Sequence, residues 1–75
     1  MNMEKMKMLI GSRIKELREK FKITQKELAI KIKVAQSAIS QWESAINEPK
    51  ASHILLLTNF FNVSADFLLG KIDKA

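Results

Sequence analysis

The sequence predicts an all-α fold, a compact bundle of five helices. Three observations support this prediction: two glycines and one proline interrupt 75 residues, apolar residues recur at helical spacing, and helix-capping side chains precede apolar segments. A chain of this length forms one small domain, which buries only a little over roughly 60% of its unfolded surface. Because the sequence contains no cysteine, neither a disulfide nor a thiolate metal site can supplement that core.

The first helix is predicted from about Leu9, or earlier, to about Phe21. Ile10, Ile14, Leu17 and Phe21 follow i, i+4, i+7, i+11 spacing, which places them on one helix face. Residues 1–8 form either an extension or the start of this helix, and their charges interrupt any signal-peptide apolar core. Since no apolar run is long enough to span a bilayer, we expect a cytoplasmic protein without a membrane partner.

The next two helices are short and closely spaced. Thr24 and Glu27 form a capping box, so the second helix is predicted over residues 25–32, and the third over about residues 36–44. Ala29 supplies the small side chain that two steeply crossing helices need at their closest approach. This arrangement is typical of a helix-turn-helix, whose second helix enters the DNA major groove.

A loop at residues 47–49 leads into a fourth helix, predicted over about residues 52–61. Asn62 suits the left-handed conformation that ends a helix, Ser64 caps a fifth helix at 65–69, and Gly70 closes it. The domain is therefore predicted to span residues 9–70, followed by a tail at 71–75. The predicted inward residues of the fourth helix are Ile54, Leu55, Leu57 and Phe61.

Charge and composition narrow the range of functions. The net charge of +5 favours a polyanionic partner only slightly. His53 has neither cysteine nor clustered carboxylate partners, so we expect no metal. No nucleophile–base set can be assembled either, so we expect no catalytic residues, no cofactor, no small-molecule ligand and no enzyme activity.

Four segments in order resemble the Cro and lambda-repressor family of helix-turn-helix DNA-binding domains. They are IGSRIKELR (10–18), TQKELA (24–29), SQWE (40–43) and NVSADFLLG (62–70), and the likeness covers about residues 9–70. The family often has glycine where this chain has Lys22, Lys33 and Ala45. If these backbones need positive φ, each side chain costs about 1 kcal/mol, so we expect a slightly reshaped turn.

The resemblance implies which residues meet DNA. The base-reading positions, on the third helix, are Gln36, Ser37, Ser40 and Gln41. Glutamine can pair bidentately with adenine. The candidate phosphate contacts are Gln25, Lys26, Lys33, Ser44, Asn47 and Lys50. In the family, an arginine on the first helix pairs with a glutamate at the end of the third, which assigns Arg18 and Glu43 a structural ion pair.

The function implied is a sequence-specific transcriptional regulator of double-stranded DNA, most simply a repressor. A homodimer on a pseudo-palindromic operator would place two recognition helices about one DNA turn apart. Leu56, Phe60 and Phe67 are the candidate dimer interface, since exposed apolar clusters often mark interfaces. Two alternatives remain open at this point: an antitoxin that regulates its own operon and binds a toxin, or a helical protein-interaction module without DNA binding.

Overall fold

The computed structural model describes residues 2–73 and confirms the all-helical fold. Within those residues there are five helices and no strand. Residues 1, 74 and 75, at the ends of the predicted extension and tail, lie outside the described residues. None of the described helices is long and apolar enough to cross a bilayer. The helices are α1 (Met3–Lys20), α2 (Gln25–Ile32), α3 (Gln36–Glu43), α4 (Ala51–Phe61) and α5 (Ala65–Leu68).

Helix α1 begins six residues before the Leu9 predicted from its apolar stripe. Asn2 is its N-cap, with the side-chain oxygen accepting from the Lys5 amide at 2.7 Å. Met6 packs against the core, whereas Met3 and Met8 are exposed. The segment before Leu9 is therefore the start of α1, stabilised by its cap more than by burial.

One core joins all five helices. Its fully buried side chains come from α1, α2, α3, α4 and α5, and are Ile14, Leu28, Ile39, Leu57 and Leu68. The inward prediction for Leu55 is wrong, because this residue is 64% exposed. Leu57 and Phe61 define the buried face of α4, and Leu55 lies about 200° around the helix from Leu57.

Each of the five described helices is followed, one or two residues after its last residue, by a residue with left-handed backbone. Lys22, Lys33, Ala45, Asn62 and Gly70 have φ between 56° and 83°. In each case an amide one residue further on bonds back to the last turn, as in the Schellman motif; examples are Ile23 N to Arg18 O and Val34 N to Ala29 O. The turn between α2 and α3 thus keeps the left-handed conformation, and Lys33 bears the strain that glycine would avoid.

Helix α1 packs directly onto the C-terminal end of α3. A Cβ atom at Gly11 would lie 2.3 Å from the carbonyl oxygen of Trp42 and 3.1 Å from that of Glu43. Only glycine permits this approach without a shift of backbone. The contact fixes how far α3 stands out from the rest of the bundle.

Candidate nucleic-acid interface

The capping box predicted at the start of α2 is present. Thr24 Oγ1 accepts from the Glu27 amide at 3.0 Å, and Glu27 Oε1 accepts from the Thr24 amide at 2.8 Å. These hydrogen bonds lower the pKa of the Glu27 carboxyl below its ordinary value. The box fixes where α2 begins and so places Gln25 in its first turn.

The ion pair predicted between Arg18 and Glu43 is also present, and it is bidentate. Arg18 Nε donates to Glu43 Oε2 at 2.8 Å, and Nη2 donates to Oε1 at 3.1 Å. Arg18 Nη1 donates to the carbonyl oxygen of Ile23 at 3.0 Å. The hydrogen bond to Glu43 raises the pKa of Arg18. The two side chains are 14% and 5% exposed, so one largely buried contact ties α1, the segment before α2 and the end of α3 together.

Gln25 adds the second helix to this contact. Its Nε2 donates to Glu43 Oε1 at 3.1 Å, so Glu43 accepts hydrogen bonds from both α1 and α2. The structure therefore shows Gln25 bracing α3, and its contact with a phosphate stays a prediction.

The four predicted base-reading residues lie on α3 in two successive turns. Gln36 and Ser37 are exposed in the first turn, and Ser40 and Gln41 are half-buried in the second. Their side chains are uncharged. They can therefore form hydrogen bonds with base edges, but they add no charge attraction to the phosphates, which are the same in every DNA sequence.

Gln41 is hydrogen-bonded to the loop after α3, a contact that the sequence pattern does not predict. Asn47 Nδ2 donates to Gln41 Oε1 at 2.7 Å. The left-handed Ala45 turns the chain back, and the Ile46 amide then bonds to the Gln41 carbonyl oxygen at 2.9 Å. Asn47, predicted to meet phosphate, thus has a protein partner on α3.

The candidate cationic contacts are spread around α3. Lys26 lies in the first turn of α2, Lys33 in the turn before α3, and Lys50 just before α4, all exposed. Ser44 is the exposed C-cap of α3. A cleft of about 500 Å³ lies between α1, α3 and α4, with Lys7, Gln41, Trp42, Asn47, Lys50 and His53 among its lining residues.

The three predicted interface residues differ in their surroundings. Leu56 is 42% exposed, and Phe60 is half-buried with its ring 6.1 Å from that of the exposed Phe21. Phe67 does not extend this patch, because it is 4% exposed in the core and covered by Arg13, whose Cζ lies 4.1 Å from the ring centroid. Its large ring completes the packing of the short α5 and is not free to meet a partner.

Among residues 2–73, no cluster of histidine and acidic side chains could hold a metal ion. Buried side-chain nitrogen and oxygen atoms in the same residues all have hydrogen-bond partners.

Comparison with known proteins gives a family and several relatives. A helix-turn-helix family model matches residues 14–68. The HTH-type transcriptional regulator ImmR of Bacillus subtilis is 42% identical over 64 residues, which are 85% of this chain and 50% of that protein. Repressor protein C2 of Salmonella phage P22 is 41% identical over 61 residues, which are 81% of this chain and 28% of that protein. The chain thus spans half or less of the length of these two relatives.

Comparison of the fold with solved structures also finds a DNA-bound repressor. The P22 c2 repressor protein, crystallised in complex with a synthetic operator, matches with a TM-score of 0.76 and 40% sequence identity. The match covers 80% of this chain and 91% of that chain.

Proposed function

This chain belongs to the helix-turn-helix family, and from that premise we propose that it is a sequence-specific transcriptional regulator of double-stranded DNA. The observation that carries the proposal is the contact of Arg18 and Gln25 with Glu43, which holds the polar face of α3 in one orientation. The similarity to a repressor crystallised with operator DNA supports it. We further propose that the protein acts in the cytoplasm as a repressor that blocks a promoter, without catalysis.

In this proposal α3 lies in the major groove and its first turn meets base edges. The exposed Gln36 can accept from adenine N6 and donate to N7, and Ser37 and Ser40 add less selective contacts. Gln25 and the cations Lys26, Lys33 and Lys50 would bind phosphates on either side, with Ser44 and Asn47 as further donors. Phosphate contacts of this kind set position and affinity, while base contacts set sequence preference.

The regulator is proposed to bind as a homodimer, because one small domain buries little surface on a single half-site. Two-fold symmetry would separate the recognition helices by about one DNA turn, roughly 34 Å. The exposed Leu56 and the adjoining Phe60 offer an apolar surface for the second copy. Analytical ultracentrifugation of Leu56→Glu tests this: the variant should be monomeric at concentrations where the wild type is dimeric. Leu55→Glu is the matched control, since Leu55 is more exposed and lies on another side of α4.

Selection from a random pool of DNA duplexes at physiological salt tests the function itself. We expect enrichment of a two-fold motif with half-sites about one helical turn apart. Retention of duplexes without a shared motif would show that the protein is a basic domain that binds DNA without sequence preference. No retention would overturn the proposal and favour a helical protein-interaction module.

Two variants then separate the proposed roles on the selected operator. Lys26→Ala should weaken binding to all sequences alike and flatten the slope of log K against log salt by about 0.9. Gln36→Ala should relax preference at one base pair by about 1–3 kcal/mol. Identical behaviour of the two variants on every sequence would contradict this division of roles.

A further inference from the structure

We propose that Asn47 is a positioning residue that decides which end of the Gln41 side-chain amide faces DNA. The Gln41 carbonyl is held by the loop after α3, so Gln41 presents its Nε2 hydrogens and selects a base edge that accepts hydrogen bonds. This inference rests on the proposed function, and it concerns the specificity of the same surface.

The geometry comes from the backbone of the loop. Ala45 adopts a left-handed backbone with φ 60°. The Ala45 amide donates to the Trp42 carbonyl oxygen at 3.2 Å, and the Ile46 amide donates to the Gln41 carbonyl oxygen at 2.9 Å. This capped turn brings the next residue, Asn47, back over the second turn of α3. Its Nδ2 then donates to Gln41 Oε1 at 2.7 Å, a short hydrogen bond.

The hydrogen bond changes what Gln41 can offer. A free glutamine amide has a carbonyl with two lone pairs and an NH2 group with two hydrogens. In Gln41 one lone pair is taken by Asn47, whereas Nε2 bonds to no acceptor within residues 2–73. Donor capacity therefore exceeds acceptor capacity at this position. Gln36, by contrast, is exposed and its side chain bonds to none of these residues, so it keeps both ends of its amide.

In the major groove this imbalance distinguishes the bases. Guanine presents two acceptors, N7 and O6, and thymine presents O4, whereas cytosine presents an N4 donor and adenine presents one acceptor and one donor. A donor-rich Gln41 favours guanine or thymine at its contact. This differs from the adenine pairing expected of glutamine from the sequence alone.

The test compares base preference among variants on the selected operator. Gln41→Ala first identifies the base pair that Gln41 reads, because discrimination there falls to near unity. At that pair the wild type should bind its preferred guanine or thymine about 5- to 150-fold more tightly than adenine or cytosine. Asn47→Asp replaces the donor by a carboxylate, which accepts from Nε2 and turns the Gln41 carbonyl outward. Its preference should move toward adenine or cytosine, and Asn47→Ala should show reduced discrimination without a new preference.

Ser12→Asp is the charge control, because Ser12 is exposed on α1, is not among the residues proposed to meet DNA or the second copy, and the substitution adds the same charge. It should lower affinity for all sequences by a similar factor and leave base preference unchanged. Melting temperatures confirm that all variants are folded. If Asn47→Asp and Asn47→Ala both keep the wild-type preference at the base pair read by Gln41, or if Gln41→Ala alters no base pair, the inference is overturned. If the wild type selects no motif, the proposed function fails first, and this inference fails with it.

Discussion

Replacing Glu43 by alanine removes the carboxylate of α3 that accepts hydrogen bonds from both α1 and α2. The substitution leaves Arg18 Nε and Nη2 and Gln25 Nε2 without the carboxylate oxygens they now contact at 2.8–3.1 Å. The guanidinium keeps only its bond to the Ile23 carbonyl oxygen. A positive charge that is 14% exposed then lacks a counter-ion, and this is the main cost we expect.

The magnitude follows from burial. Removing one partner of a fully buried ion pair costs about 3–5 kcal/mol, whereas exposed pairs are worth about 0–1 kcal/mol. Because water reaches part of the Arg18 side chain, we expect Glu43→Ala to lower the free energy of unfolding by about 2–4 kcal/mol. For a domain of this size the melting temperature should fall by roughly 10–25 °C.

Urea denaturation and thermal melts followed by circular dichroism measure both quantities. Glu16→Ala is the control, since Glu16 is exposed on α1, and it should change stability by about 0.5 kcal/mol or less. The double variant Arg18→Met/Glu43→Leu should recover most of the loss, because it leaves no unpaired charge. A Glu43→Ala protein as stable as the Glu16→Ala control would refute the assignment of a structural role to this pair.

Three further predictions concern backbone strain, close packing and pH. Lys22→Gly should raise the free energy of unfolding by about 1 kcal/mol, because Lys22 has φ 58°. Denaturant midpoints measure this change. As the control, Lys31→Gly within α2 should lower the free energy of unfolding by a similar amount. Gly11→Ala should lower stability by about 1–3 kcal/mol, since its Cβ would meet the Trp42 carbonyl oxygen at 2.3 Å; an unchanged melting temperature would contradict the contact. The folded-state pKa of Glu27 is lowered, so ionised Glu27 stabilises the folded protein. This stabilisation is fully present at pH values above the ordinary glutamate pKa and is lost as the pH falls through the lowered, folded-state pKa. The wild type should therefore be more stable than Glu27→Gln at pH 7, and the difference should shrink in acid melts; a constant difference would argue against the capping box as its source.

Local signals predicted the short helices well. The bounds of α2 matched because Thr24 and Glu27 mark its first residue with hydrogen bonds that span only three positions. The left-handed ending of α4 at Asn62 was predicted for the same reason. The start of α1 stayed open between Leu9 and an earlier residue, because the Asn2 cap precedes a stretch where charges interrupt the apolar pattern.

Orientation and long-range contacts were harder. Helix α4 is apolar around most of its circumference, so periodicity alone could not assign Leu55 to the surface. The Arg18–Glu43 pair was found through the family resemblance, since a separation of 25 residues gives no local signal. The bond between Asn47 and Gln41 depends on the left-handed conformation of Ala45, and the sequence gives alanine no preference for it.

The only tryptophan of the sequence is Trp42, which lies on α3 directly after Gln41. It is 4% exposed, and its ring centroid is 5.1 Å from that of His53 on α4. Intrinsic fluorescence excited at the indole band therefore originates from α3 alone. Stopped-flow refolding can time the docking of that helix without an attached dye, and far-ultraviolet ellipticity recorded in parallel times helix formation in the whole chain. A lag of the first signal behind the second would show that α3 reaches its place after the helices have formed.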